Sequence, residues 1–147
     1  VDDVRSNEAA MDLLVALYEG QEVDVSLDQL LHRDVTCRDW TIPGRTFRGV
    51  EEVWNECFLT GASAFDDATE EILEVIRDQT RLFIRATFRG VFVGPYRGIA
   101  PHAKPVSYEV VDSYEFLDGE IVGMRFGADT MSLGVSLGAI GVADAPW

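Results

Sequence analysis

The sequence predicts an α+β fold, a curved antiparallel sheet with N-terminal helices packed on its concave face. Three observations carry that expectation. Apolar residues recur at helical spacing at Met11, Leu14, Leu17 and Tyr18, and again at Val50, Val53, Trp54, Cys57 and Phe58. From residue 69 onward the period becomes two, that of a half-buried strand. Between two such runs stands Asp118-Gly119, a pair suited to a tight hairpin turn. Helices first and hairpin-joined strands afterwards place the helices on one face of the sheet. The hollow left between the two layers is a natural ligand site.

Taken in order, residues 1–7 are polar and read as a frayed start. The spacing predicts a helix over 8–18, with Ser6 as N-cap and Gly20 as stop, and a short second helix over 27–32 capped by Ser26. A strand over 35–40 follows, with Val35, Cys37 and Asp39 on one row and Thr36, Arg38 and Trp40 on the other. After the Pro43-Gly44 turn comes an amphipathic helix over 49–59, broken by Gly61-Ala62-Ser63. The strand over 69–77 has a mixed pattern, with Glu74 between Ile72 and Ile76 on one row as a candidate third pocket acid. In the strand over 81–90, Leu82, Ile84, Ala86 and Phe88 alternate with Arg81, Phe83, Arg85, Thr87 and Arg89. A loop with Gly94, Pro95, Pro101 and Pro105 leads to a strand over 106–116. The returning strand over 120–128 carries Val122, Met124, Phe126 and Ala128 on one row, and Asp129 caps a last helix over 130–137.

The strand over 106–116 organises the functional reading. One row is Val106, Tyr108, Val110, Asp112, Tyr114 and Phe116, and Asp112 is its only charge. A bare carboxylate on an apolar row costs several kcal/mol, so it is protonated, hydrogen-bonded or facing a pocket. Asp39 extends the apolar row of its own strand in the same way.

Composition narrows the partners. The chain of 147 residues is of single-domain size, 1–147, with 47% hydrophobic and 26% charged residues. A formal net charge of −14 argues against nucleic acid and anionic lipid, and favours a neutral or cationic small molecule. Cys37 and Cys57 form no disulfide framework or metal motif; both read as reduced core residues, which suits the cytoplasm. No apolar run approaches a membrane span of roughly 20 residues. His32 and His102 are isolated and read as surface residues, no metal is expected, and no cofactor motif is present.

Several segments resemble the nuclear transport factor 2-like superfamily, and within it the SnoaL-like polyketide cyclases and the ketosteroid isomerases. They are Arg33-Asp-Val-Thr-Cys-Arg-Asp39, Phe47-Arg-Gly49, the stretch from Ala86 to Gly94, Val111-Asp-Ser-Tyr-Glu-Phe-Leu-Asp-Gly119 with Ile121-Val122, and Asp129-Thr-Met-Ser-Leu-Gly-Val-Ser-Leu-Gly138. The resemblance implies a cone-shaped barrel and places Asp39 where the isomerases keep a general base. Asp112 falls where they keep a protonated carboxylic acid, the case the isomerase itself illustrates. It departs at Leu13, where the isomerase has an oxyanion-hole tyrosine; Tyr18, Tyr108 or Tyr114 is left to replace it. Near Phe126 the acid common in aldol cyclases is missing.

The expected activity is a cofactor-independent cyclase or isomerase acting on a polyketide-like molecule, with Asp39 as base and Asp112 as neutral acid. Oxa-Michael pyran closure and a double-bond shift need the same two roles. Epoxide opening in the same fold and a non-catalytic binding or assembly module are the alternatives. Tyr18, Trp54, Phe88, Tyr108, Tyr114, Met124 and Phe126 are the expected substrate-contacting residues. A homodimer through the outer sheet face, where Phe83 and Val111 lie, is also expected.

Overall fold

Strands β1 (Leu31–Asp39), β2 (Phe47–Arg48), β3 (Phe65–Arg77), β4 (Arg81–Phe92), β5 (Pro105–Leu117) and β6 (Glu120–Ala128) form one open sheet. Their order is β2-β1-β6-β5-β4-β3. The computed structural model describes residues 4–141, so the expectation of a frayed start lies partly outside it. Within it Asn7 is ordered: it opens helix α1 (Asn7–Tyr18), and its Oδ1 accepts from the Gly119 amide at 2.8 Å. The fold is α+β as expected. Its pairing is antiparallel except for β1 with β6, which is parallel, so the sheet is mixed. Among the described residues no helix is long and apolar enough to cross a membrane.

Local chemistry explains most boundaries. The Ser6 hydroxyl accepts from the Ala9 amide at 3.1 Å, and Gly20 ends the helix at φ +71°, a region glycine enters without steric cost. The expected helix over 27–32 is instead a single 3-10 turn, Leu27–Leu30. Ser26 and Gln29 close a capping box around it, and Leu31 is already extended, so His32 lies on a strand. β2 was not foreseen; two residues are too short to show a period.

The second helical region runs without a break from α2 (Val50–Val53) through a π-helical segment (Trp54–Leu59) to α3 (Thr60–Ala64). Gly61 therefore does not end the helix as expected. The Thr60 hydroxyl bonds the Glu56 carbonyl at 2.9 Å and Ser63 bonds the Thr60 carbonyl at 3.2 Å, which keep the turns closed across it. Helix α4 (Thr130–Ser136) closes one side of the concave face, capped by Asp129, whose carboxylate accepts from the Ser132 amide at 3.1 Å.

The strand registers stack the inward side chains into transverse rows. One row runs Phe47, Cys37, Met124, Tyr114, Leu82 across β2, β1, β6, β5 and β4. The next is Asp39, Phe126, Asp112, Ile84, Val75, and beyond it lie Ala128, Val110, Ala86 and Ile72. Tyr108, Phe88 and Glu70 form the last. The first row is hydrophobic core except at Tyr114, whose side chain reaches the hollow under the helices; the β1, β6 and β5 members of the next two rows and all of the last row line that hollow.

Two bulges move residues off their expected rows. In β3 a register shift between Ile72 and Glu74 turns Glu74 outward, opposite Arg85, whose Nε lies 3.3 Å from its carboxylate. Glu74 is thus not a pocket acid. In β6 a shift opposite Glu115 and Phe116 brings Ile121 inward in place of Val122.

Candidate active site

A cavity of about 350 Å³ lies between the sheet and the helices, within the range of small-molecule sites. Leu14, Leu17 and Tyr18 of α1, Cys57 and Phe58 of the π-helical segment, and Leu133 of α4 roof it. The transverse rows beginning at Asp39 form its floor. Asp39 and Asp112 are the two buried charged residues among those described, each 6% exposed. They share a row with only Phe126 of β6 between them, so two strand spacings, about 10 Å, separate their backbones.

Asp112 sits at mid-strand in a dry, hydroxyl-lined setting. Burial pushes its carboxyl up to about 8, with the charges of Glu70 and Asp39 acting in the same direction. The Tyr18 hydroxyl and the Gly127 amide oppose that shift but do not overcome it. Tyr18 donates to Oδ2 of Asp112 at 2.5 Å and also meets the Tyr114 hydroxyl in a very short contact. A phenol has one proton, so with Tyr18 committed to Asp112 it is Tyr114 that donates to Tyr18. In the relay Tyr114–Tyr18–Asp112 it is Oδ2 that accepts, so Oδ1 of Asp112 has no side-chain partner among the described residues. Burial also raises both phenols well above their ordinary value, so they remain donors at neutral pH.

Asp39 is held differently. Its Oδ1 accepts from the Thr41 amide at 2.8 Å and the Thr41 hydroxyl at 2.6 Å. Its Oδ2 takes the Arg97 guanidinium at 2.9 Å, while Arg97 Nε reaches Thr41 Oγ1 at 3.0 Å. Arg97 adopts φ +50° in the loop after β4 and lies 4.6 Å over the Tyr96 ring. The two acids of one cavity therefore differ: one is ion-paired at a strand end, the other desolvated in a strand middle.

Of the expected contact residues, Tyr18, Phe88, Tyr108, Tyr114 and Phe126 line the cavity. Trp54 does not. The π-helical turn widens the spacing per turn, so Phe58 takes the wall position and Trp54 packs behind it, ring centroids 5.3 Å apart. Met124 also stays off the wall; it belongs to the closed core row between Cys37 and Tyr114 and is 3% exposed. Cys37 and Cys57 are free thiols, and Cys37 is pushed up by its hydrogen bond to Cys57 and by burial.

Sequence reasoning missed Arg97, Phe58, Tyr96 and Glu70. Glu70 stands on the inward row opposite Phe88, and burial raises it to about 7. Glu70 keeps the inward parity of Ile72, ahead of the bulge that sends Glu74 out. As for metals, among the described residues no three His, Cys, Asp or Glu side chains converge closely enough to hold an ion.

The fold is shared with solved structures of low sequence identity. AclR from Streptomyces galilaeus is 20% identical with a TM-score of 0.73, covering 94% of this chain and 85% of its own. TsrD from Streptomyces laurentii is 25% identical with a TM-score of 0.70, covering 90% and 95%. A SnoaL-like polyketide cyclase from Agrobacterium tumefaciens is 16% identical with a TM-score of 0.67, covering 90% and 98%. No curated protein matches the sequence. The model of the SnoaL-like polyketide cyclase family matches residues 8–136, from the first turn of α1 to the end of α4, and the chain belongs to that family.

Proposed function

We propose that the protein is a cofactor-independent cyclase or isomerase of an apolar, polyketide-like small molecule, working by general acid–base catalysis. One observation carries the reading: two buried carboxylates lie in a single row of one cavity, in opposite electrostatic settings. Asp112, neutral at pH 7, donates from Oδ1 to a substrate carbonyl as negative charge develops on its oxygen. Asp39, ionised against Arg97, takes a proton from a substrate hydroxyl or acidic carbon. For pyran closure the hydroxyl oxygen bonds the β-carbon of an enone while Asp39 removes the hydroxyl proton. The enolate oxygen that forms is held by Asp112, and return of the abstracted proton from Asp39 to the α-carbon completes the balance and restores the base. A double-bond shift uses the same donor and acceptor. The Thr41 and Arg97 hydrogen bonds fix the base, and the Tyr114–Tyr18 relay fixes the acid. The protein is further proposed to act as a homodimer, because Phe83 and Val111 on the outer sheet face are 44% and 49% exposed.

The test is turnover of a hydroxy-enone thioester, a β,γ-unsaturated ketone and a hydroxy-epoxide by wild type, Asp39→Asn, Asp112→Asn and Asp112→Ala. The reading expects Asp39→Asn to abolish activity. Asp112→Asn should keep more than Asp112→Ala, because an amide still donates; the Ala loss should be of the order of 10²–10³-fold. Full activity in both Asn variants would remove the pair from the mechanism. Binding without turnover of any of the three would point to a binding module.

A further inference from the structure

The acid that the catalytic reading leaves unused is Glu70. It is partly buried on the inner face of β3, opposite Phe88 in register, and Phe88 stacks on Tyr108 with ring centroids 5.0 Å apart. Asp39 is engaged by Thr41 and Arg97, and Asp112 by Tyr18. Glu70, by contrast, makes no side-chain hydrogen bond or ion pair among the described residues. Among the described residues no Lys, Arg or His lines the cavity, and the adjacent guanidinium of Arg97 is already taken by Asp39. Glu70 also borders a second, outer hollow of about 280 Å³, shared with Leu17, Tyr18 and Phe88 and flanked by Glu19. It therefore stands between the outer hollow and the cavity.

We propose that the substrate carries a basic nitrogen, and that Glu70 and the Phe88–Tyr108 wall hold it as an ammonium group. A partly buried carboxylate without a partner carries a desolvation cost, and a ligand cation is the counter-charge this cavity does not supply itself. Aromatic faces beside the carboxylate add attraction for a cation and none for an anion. The chain's net charge of −14 works in the same direction during approach. Placing the ammonium at the Glu70 end leaves the carbonyl end of the substrate for Asp112, two rows further along the floor. This names a substrate class for the catalytic reading and rests on that reading.

The groups that face Glu70 are Tyr18 of α1 with Glu19 just beyond its end, and Tyr108, Asp112 and Tyr114 from β5; β4 presents Phe88 there. None of them is a cation. The Glu70 carboxyl is raised to about 7, so the charge that attracts the ammonium develops between pH 6 and 8.

The experiment compares 1-naphthylmethylamine with 1-naphthylmethanol, ligands of one shape that differ in charge, by calorimetric titration at pH 6 and pH 8. Wild type should bind the amine about tenfold more tightly than the alcohol at pH 8, with a smaller ratio at pH 6. Glu70→Gln should remove the preference and leave alcohol affinity as it was, with a melting temperature no lower than that of wild type showing an intact fold. Glu74→Gln, on the outer face of the same strand, should keep the preference. Equal binding of amine and alcohol by wild type, or a preference that survives Glu70→Gln, would overturn the amine assignment while leaving the cavity as an aromatic ligand site. If neither compound binds, the cavity reading fails and takes this inference with it.

Discussion

Replacing Arg97 by Met removes the guanidinium that neutralises Asp39 while keeping most of the stem. The consequence can be worked from the geometry. The pair is 2.9 Å apart, with the Arg97 and Asp39 side chains 20% and 7% exposed. Breaking a fully buried pair costs about 3–5 kcal/mol and breaking an exposed one less than about 1. This pair lies between those limits, and the Thr41 donors still hold the other carboxylate oxygen. About 2 kcal/mol is therefore expected, including the loss of the cation over Tyr96. With a urea slope of about 2 kcal/mol/M, the unfolding midpoint should fall by about 1 M. Asp39→Asn alone should also destabilise, because it leaves the guanidinium unpaired. The double variant should lose less than the sum, with a coupling of about 1–2 kcal/mol. Equilibrium urea denaturation of the four proteins at pH 7 measures this. A midpoint shift under 0.2 M for Arg97→Met, roughly 0.4 kcal/mol at that slope, or strict additivity, would refute the view that the Arg97–Asp39 pair helps hold the site together.

Other predictions concern the proton on Asp112, the cavity wall and the outer face. The Asp112 carboxyl is raised, so the folded state binds its proton more tightly than the unfolded chain does. Its stabilising effect is complete below the ordinary carboxylate range and is lost as pH rises toward about 8, to a total on the order of 5 kcal/mol as an upper bound. Asp112→Asn should flatten that fall and be more stable than wild type at pH 9 in urea melts; parallel pH profiles would contradict it. Phe58→Ala should weaken binding of a naphthyl ligand several-fold, whereas Trp54→Phe, behind the wall, should leave affinity unchanged within twofold in the same titration. Sedimentation at tens of micromolar, a rough concentration for an interface of standard size, should show a dimer that Val111→Glu dissociates; a wild-type monomer would exclude it.

The parity of strands made the two central acids legible. Asp39 and Asp112 each extend a run of apolar residues at period two, and both strands kept that parity, so both residues came out on the inner face. Where the backbone breaks parity the pattern misleads. Glu74 reads as inward because a bulge adds a residue without leaving a mark in the apolar pattern, whereas Glu70 follows the plain parity of Ile72 and sits among too mixed a set of residues to stand out. Trp54 fits an α-helical stripe well, yet a π-helical turn changes which residues share a face, and Phe58 takes its place. The parallel pairing of β1 with β6 joins segments more than 80 residues apart, and no local rule specifies it. Arg97 lay beyond reach for a related reason: its partner Asp39 is 58 residues away, and a loop of Gly and Pro gives no direction to its side chains.

The central claim is that the two buried acids hold different charges in the resting cavity, with Asp112 neutral. The most direct test is the carboxyl carbon chemical shift of Asp112, assigned by comparison with Asp112→Asn and followed from pH 4 to pH 10. The account predicts a resonance that stays in the protonated range through neutrality and turns over near pH 8. In Tyr18→Phe, which removes a hydrogen bond to the charged form, the turnover should move higher still. A resonance already in the ionised range at pH 6 would contradict the account, because Asp112 would then have no proton to donate.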